Sequence, residues 1–354
     1  MVAPKITVLM PVYNGENYLK EAIDSILNQT FSDFEFIVVN DGSRDSTSMI
    51  LNTYAKLDNR IRIIINEKNL GIAKSLNIGL NLSRGNFIAR QDADDISAQR
   101  RLKIQIDYLK KHPQIGLLGT ACHLIDRNGK YVRTNCPETN DTAIHWRMLF
   151  RNAFVHTSVM IRREVLTKAH LFYSEKLLHN EDMGLWVQLM KYSKVANLKE
   201  PLVSLRRHDN SISMTQFKEQ ERVSTEISFN QLLRLLPDSS LSMEDVGILR
   251  KWHKQLPRQL RKEDFRLCRD YFHILNIFSG KSNIDPIVIN AIRFSLWVRT
   301  IRAVPLKDYT NLISTPGILK SIMGQNIFFA LAGMLKWFIL YLEKRLHVEK
   351  KGFY

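Results

Sequence analysis

The stretch KITVLMPVYN, residues 5–14, is apolar and β-branched until Pro11 and stops at Asn14-Gly15. It reads as a buried first strand; the Ile6–Val12 run is too short, and too early broken by proline, for a signal peptide. Downstream of it strand and helix patterns alternate. ENYLKEAIDSILNQ (16–29) sets Tyr18, Leu19, Ala22, Ile23, Ile26 and Leu27 at helical spacing. FEFIVVNDGS (34–43) is a second buried strand, and DSTSMILNTYAKL (45–57) a second helix with Asp45 or Ser46 as its cap. IRIIIN (61–66), IAKSLNIGLNLS (72–83) and GNFIAR (85–90) add a strand, a helix and a strand. Strand and helix alternating through short loops imply a parallel sheet covered on both faces. Ligands on such sheets sit beyond the carboxyl ends of the strands. Asn14, Asp41 and Asp92 each fall just past a strand end. They are therefore expected on one rim.

After Pro113 the pattern is less regular. IGLLGTACHLID (115–126) and VRTNC (132–136) suggest a mixed extension of the sheet, EVLTKA and EDMGLWVQLMKY helices, and YSKVANLKEPLVSLRRH (192–208) a final strand pair. Glycine then thins out and helical patterns dominate, which places a boundary between residues 213 and 220. The expected organisation is an α/β domain over residues 1–215 and a basic helical region over 216–354. After Pro201 there are 24 Lys and Arg against 14 Asp and Glu. Within that region NIFFALAGMLKWFILYLEKRL (326–346) is the most apolar run, but Lys336 interrupts it short of a spanning length. It reads either as a buried helix or as one lying in a membrane interface, with Trp337 and Tyr341 at headgroup level and Lys344-Arg345 on anionic lipid.

The 354 residues carry a formal charge of +16, which calls for an anionic partner or surface. Three cysteines, without a CxxC pair, fit a reducing cytosol and argue against a disulfide framework or a zinc site. Nucleic acid is disfavoured as the partner: the sequence has no zinc-finger spacing, RNP-like aromatic strand or basic heptads.

The chemistry concentrates in ARQDADDIS, residues 89–97, where three carboxylates fall within four positions. Such a cluster repels itself unless something positive sits among its members. The plain alternative is a solvated turn in which Asp95 or Ser97 caps the next helix. Five motifs in order decide between these: PVYN (11–14), NDGSRDST (40–47), NLGIAKSLNIGL (69–80), RQDADDIS (90–97) and NEDMGLWVQL (180–189). Together they closely resemble the family 2 glycosyltransferases, across about residues 5–213. The resemblance implies a GT-A fold, a Rossmann-like mixed sheet flanked by helices. It also implies metal-assisted, inverting transfer of a sugar from a nucleotide diphosphate donor, usually UDP-linked.

Carried onto this chain, the resemblance gives Asp41 the uracil edge and Pro11, Val12, Tyr13 and Asn14 the frame of base and ribose. Asp92 faces the ribose beside Ala93, and Asp94 holds Mn²⁺ or Mg²⁺ with His208 as a further ligand. Arg206 (or its neighbour Arg207) is expected to clamp the diphosphate, with Lys74 as a weaker phosphate contact. Asp95 is left as a helix cap or a supporting partner. Asp182 is the general base, and Glu181 hydrogen-bonds the acceptor or orients the base; the alternative for both is a favourable position at a helix N-terminus. His156 and Trp186 are candidates for acceptor or phosphate contact, with a structural role as the alternative for His156. QxxRW, the signature of processive synthases, is absent, which favours adding one sugar at a time. The expected partners are a UDP-sugar and a glycan or lipid-linked oligosaccharide in cell-surface polysaccharide synthesis, at the cytoplasmic face of the membrane. Transfer onto a polyprenyl phosphate is the alternative within the enzyme class. An inert basic protein on the same fold, binding nucleic acid or membrane, is the alternative outside it.

Overall fold

The computed structural model describes residues 3–208 and 216–304, so the apolar run at 326–346 and the end of RRHDNSIS lie outside it. The chain divides at Ile227/Ser228 into two compact units. In the first, β1 (Ile6–Val12), α1 (Leu19–Leu27), β2 (Phe34–Asn40), α2 (Thr47–Leu57), β3 (Ile61–Ile65), α3 (Ile72–Leu82) and β4 (Phe87–Arg90) follow the alternation read from the sequence. All four strands run parallel. Then come the two-residue β5 (Ile96–Ser97), α4 (Arg101–Lys111), β6 (Ile115–Ile125), β7 (Tyr131–Asn135), α5 (Asp141–Met148), β8 (Met160–Arg162), α6 (Arg163–Lys168), α7 (Glu181–Leu189) and β9 (Lys194–Arg206). They complete a nine-stranded sheet of order β3-β2-β1-β4-β8-β6-β9-β5, with β7 on β6. β8 runs antiparallel to β4 and β6, and β9 lies parallel to β6. The sheet is mixed, as expected.

Strand periodicity decides what each face carries. Ile6, Val8, Met10 and Val12 of β1, with Phe34, Phe36 and Val38 of β2, pack under α1, α2 and α4. The alternate residues Leu9, Ile37, Val39 and Ile88 pack under α3, α5 and α7. Successive side chains of a strand point to opposite faces, so β4 sends Ile88 and then Arg90 toward α7, and Gln91, just past the strand, meets Arg101 of α4. Strand order reverses at β1, and the crevice past β1 and β4 is where such sheets bind ligands.

Two expectations need correction. The strand pair over 192–208 is one strand, β9, of 13 residues. Pro201 has no N–H and looks like a break, but register shifts opposite Thr120–Cys122 absorb it. Nor does Asp95 or Ser97 cap a helix: Ser97 lies in β5, and α4 begins only at Arg101, after Arg100.

The second unit continues with α8 (Phe217–Leu235, which starts in the first unit), α9 (Met243–Lys254), α10 (Phe265–Ser279) and α11 (Pro286–Ala303). α9 opens on a capping box between Ser242 and Asp245. Among the described residues no helix is long and apolar enough to cross a membrane.

Candidate active site

At the end of β2 the Asp41 carboxylate is buried and turned to the loop before α3. Oδ1 accepts from Asn66 Nδ2 and from the Leu70 N–H, both at 2.8 Å, and Oδ2 from the Gly71 N–H at 2.9 Å. A carboxylate has about four acceptor positions, so one is left on Oδ2. Gly42, at φ +70°, passes so close to Lys68 that a Cβ would lie 2.6 Å from its carbonyl carbon. Asn14, at φ +50°, ties β1 to the same region. Its Oδ1 accepts from the Arg44 N–H at 2.9 Å, and its own N–H donates to Ser43 Oγ at 3.0 Å. Pro11 and Val12 end β1 beneath it, and Tyr13 is 47% exposed at the edge. Lys74 is exposed in the first turn of α3.

The acidic turn after β4 is held from behind by two buried residues that sequence motifs did not single out. Gln91 donates to the carbonyls of Asp92 and Asp95 and accepts from Ser97 Oγ and Arg101 Nη1. Arg101 in turn donates to the carbonyls of Arg90 and Val159 and to Gln105 Oε1. Asp92 receives Arg90 Nη2 on Oδ1 at 2.6 Å, and its N–H donates to Thr157 Oγ1. Asp94 Oδ2 lies 3.0 Å from His208 Nε2, and Tyr18 packs on the His208 ring. Burial and then the Asp92 charge push the Asp94 carboxyl up; Asp95 is pushed well up by burial, Asp94 and Asp92. Metal-free, the turn therefore tends to hold protons. Among the described residues no group of three His, Cys, Asp or Glu could hold a metal by itself. One carboxylate and one imidazole still suit a Mn²⁺- or Mg²⁺-like ion, which takes its other ligands from phosphate and water.

Arg206 is not placed to clamp a diphosphate. Its N–H donates to Asp95 Oδ1 at 2.8 Å, Nε to the Asp94 carbonyl, Nη1 to the Arg127 carbonyl and Nη2 to Glu21 at 2.5 Å, while the guanidinium stacks on Tyr18. Its side chain is buried, and its bonds tie β9 to the acidic turn, to α1 and to the loop after β6. Sequence spacing showed that an arginine was near, not where its nitrogens went.

Across the crevice, α7 presents Glu181 and Asp182 in its first turn. Asn180 occupies the cap position but makes no side-chain cap bond there; its Oδ1 instead accepts from Ser224 Oγ. Asp182 Oδ2 accepts from Asn152 Nδ2 at 2.7 Å and Oδ1 from the Met183 N–H at 2.6 Å. Burial raises Asp182 to about 6, against those two hydrogen bonds. Burial and the Asp182 charge raise Glu181 to about 8, and its Oε2 is buried without a partner. Asp92 and Arg90 act on both carboxyls, so the two acidic motifs share one electrostatic neighbourhood. Trp186, expected at the acceptor, is wholly buried. It stands edge-on to Phe154, His156 and Tyr173 as the wall behind the pair. His156 is half-buried, with Nε2 on Tyr173 Oη at 3.2 Å, and its desolvation plus Arg90 hold it well below the usual histidine range. Its bond to Tyr173 and its low proton affinity fit the structural alternative. Helical spacing put Trp186 one turn beyond the acids; only packing shows that it points inward.

A mixed sheet with carboxylates past its parallel strands β2 and β4, facing the buried Glu181 and half-buried Asp182 of α7, defines a glycosyltransferase of the GT-A type. The chain belongs to glycosyl transferase family 2, whose family model matches residues 7–169. A glycosyltransferase of Haemophilus influenzae is 31% identical over 264 residues, covering 71% of this chain and 81% of that one. The O-antigen biosynthesis glycosyltransferase WbnJ of Escherichia coli is 32% identical over 211 residues, covering 58% and 78%. The crystal structure of S. aureus TarS 1–349 in complex with UDP-GlcNAc shares the fold, with a TM-score of 0.55 at 19% identity, over 84% of this chain and 87% of that one.

Proposed function

We propose that the enzyme transfers one sugar from a UDP-sugar to a hydroxyl of a glycan acceptor, with inversion and with a divalent cation, in cell-surface polysaccharide synthesis. The observation that carries this reading is the pairing of Asp92 and Asp94 on the rim with Glu181 and Asp182 across the crevice. Asp41 keeps one acceptor position for the N3–H of a uracil, and Asn14, Tyr13 and the end of β1 frame the base and ribose. Asp92 takes the ribose side beside Ala93, and Lys74 offers a charge to phosphate. Asp94 and His208 hold the cation, which when bound neutralises the leaving diphosphate as a Lewis acid. Asp182 takes the proton from the attacking hydroxyl, because at neutral pH a carboxyl near 6 is mostly ionised yet still basic. Glu181, near 8, keeps its proton and donates a hydrogen bond from the otherwise unpartnered Oε2 side. A relative in O-antigen biosynthesis supports a cell-surface glycan as the acceptor, and our reading is that this acceptor is lipid-linked and met at the cytoplasmic membrane face. The basic region after residue 215 is then the part that meets anionic lipid.

The test is a hydrolysis screen of the purified protein with Mn²⁺ against UDP-, GDP- and dTDP-sugars. Turnover confined to UDP-sugars is the expected result, and turnover confined to GDP- or dTDP-sugars refutes the donor assignment. Asp41→Ala is expected to weaken UDP binding by about tenfold, the worth of one charge-assisted hydrogen bond, measured by calorimetry. The Mn²⁺ concentration for half-maximal activity should stay put. An unchanged UDP affinity would return Asp41 to a purely structural role in holding the loop before α3.

A further inference from the structure

Arg90 is a buried cation, 1% exposed, that none of the assigned roles uses. A guanidinium taken out of water is tolerated only where carboxylates or carbonyls compensate it. Arg101, equally buried, shows what a structural arginine looks like in this fold. All three of its nitrogens donate to protein: Nε to Gln105, Nη1 to Gln91 and Ser97, Nη2 to two carbonyls. Arg90 differs. Nη2 donates to Asp92 Oδ1 at 2.6 Å and Nη1 to the Gln91 carbonyl, while Nε is buried without a partner. Strand alternation sends its side chain to the α7 face, and its charge reaches Glu181, Asp182, His156 and Tyr173.

We infer that Arg90 is a positioning residue of the transfer reaction, fixing Asp92 on the donor side and lending its charge to Asp182 on the acceptor side. The inference rests on the reading of Asp182 as the base. Four groups decide how readily Asp182 ionises besides its burial: the Asn152 amide, the Met183 N–H, Asp92 and Arg90. Asp92 favours the protonated form, while the neighbouring Glu181 still holds its own proton in that range and adds no charge. Arg90 is the cation among them and favours the anion. Neutral His156 and Tyr173 contribute bulk on that side rather than charge. One guanidinium thus couples the ribose-side carboxylate to the base, so that the geometry of the donor half and the basicity of the acceptor half depend on the same side chain.

The experiment compares wild type, Arg90→Met and Arg90→Lys by the pH profile of kcat/KM for UDP-sugar hydrolysis and by UDP affinity from calorimetry with Mn²⁺. Thermal melts establish that each variant is folded. Arg90→Met should move the acidic limb up by about one pH unit, because the anion loses its nearby cation, and should weaken UDP by about tenfold. Arg90→Lys keeps the charge and should leave the limb in place. It should still weaken UDP severalfold, because a single ammonium does not reproduce the planar bond to Asp92 together with the Gln91 carbonyl. A folded Arg90→Met enzyme with the wild-type limb and affinity overturns the inference. Should that variant not fold, Arg90→Lys decides: unchanged UDP affinity overturns it, weakened affinity supports it. A wild-type protein that turns over no UDP-sugar refutes the proposed function, and the inference with it.

Discussion

Asp182→Asn is expected to lower sugar transfer by about 10²–10⁴-fold while leaving UDP affinity within about twofold of wild type. The amide keeps the volume of the carboxylate and can still offer its oxygen to Asn152 Nδ2, which now donates to Asp182 Oδ2 at 2.7 Å. What it loses is the ability to take a proton. That proton moves only as the acceptor oxygen attacks, so the loss belongs in kcat and not in donor binding. Glu181→Gln should cost less, because the residue already carries a proton at neutral pH and the amide still donates a hydrogen bond. With an α-linked UDP-sugar the product should be β-linked, since one displacement inverts the anomeric carbon. Near wild-type transfer by Asp182→Asn would leave the pair as favourable charges at the start of α7 and place the base elsewhere. An α-linked product would remove single displacement as the mechanism.

Removing Asp94 should abolish the cation-dependent part of UDP binding. In wild type, UDP with Mn²⁺ should raise the melting temperature, whereas UDP in EDTA should not. Ligand at 100 times its Kd stabilises by about 2.7 kcal/mol, enough for a shift of several degrees. Asp94→Ala should show no such shift, and activity should fall to background. The metal-free variant should melt no lower than metal-free wild type at neutral pH. The reason is the sign of the linkage: burial and Asp92 raise Asp94 in the fold. Its contribution is therefore favourable below the unfolded carboxyl range and is lost as pH rises through the folded value. Neutral pH is on the losing side. Full activity in EDTA, or an unaffected Asp94→Ala enzyme, would refute the assignment of this carboxylate to a cation.

The first half of the fold was legible in the sequence because its signals are local. Each strand from β1 to β3 is a short β-branched run ended by Pro, Asn or Gly, β4 is a short apolar run into the acidic cluster, and each helix has its own apolar stripe. Placement of Asn14, Asp41 and Asp92 at strand ends came from the same local reading, since consecutive parallel strands bring their carboxyl ends to one rim. The pairing of β6 with β9, 78 to 81 positions apart in the chain by their registers, carries no local signal, and Pro201 argued falsely for a break.

Side-chain destinations were decided by tertiary packing. A motif fixes which residues are close along the chain, but hydrogen bonds and burial depend on what arrives from elsewhere. Arg206 looked like a phosphate clamp until Glu21, Asp94 and Arg127 took its donors. Trp186 looked like an acceptor contact until Phe154, His156 and Tyr173 closed around it. Asn152 meets Asp182 across 30 positions, and Arg90 meets the α7 carboxyls across about 90. The sequence by itself determined the alternating sheet, its rim and the acids that line it, because these arise from periods of 2 and 3.6 residues. Which polar atom each acid faces, and so how tightly each holds its proton, was decided only by the folded structure, where burial and distant partners set the cost of charge.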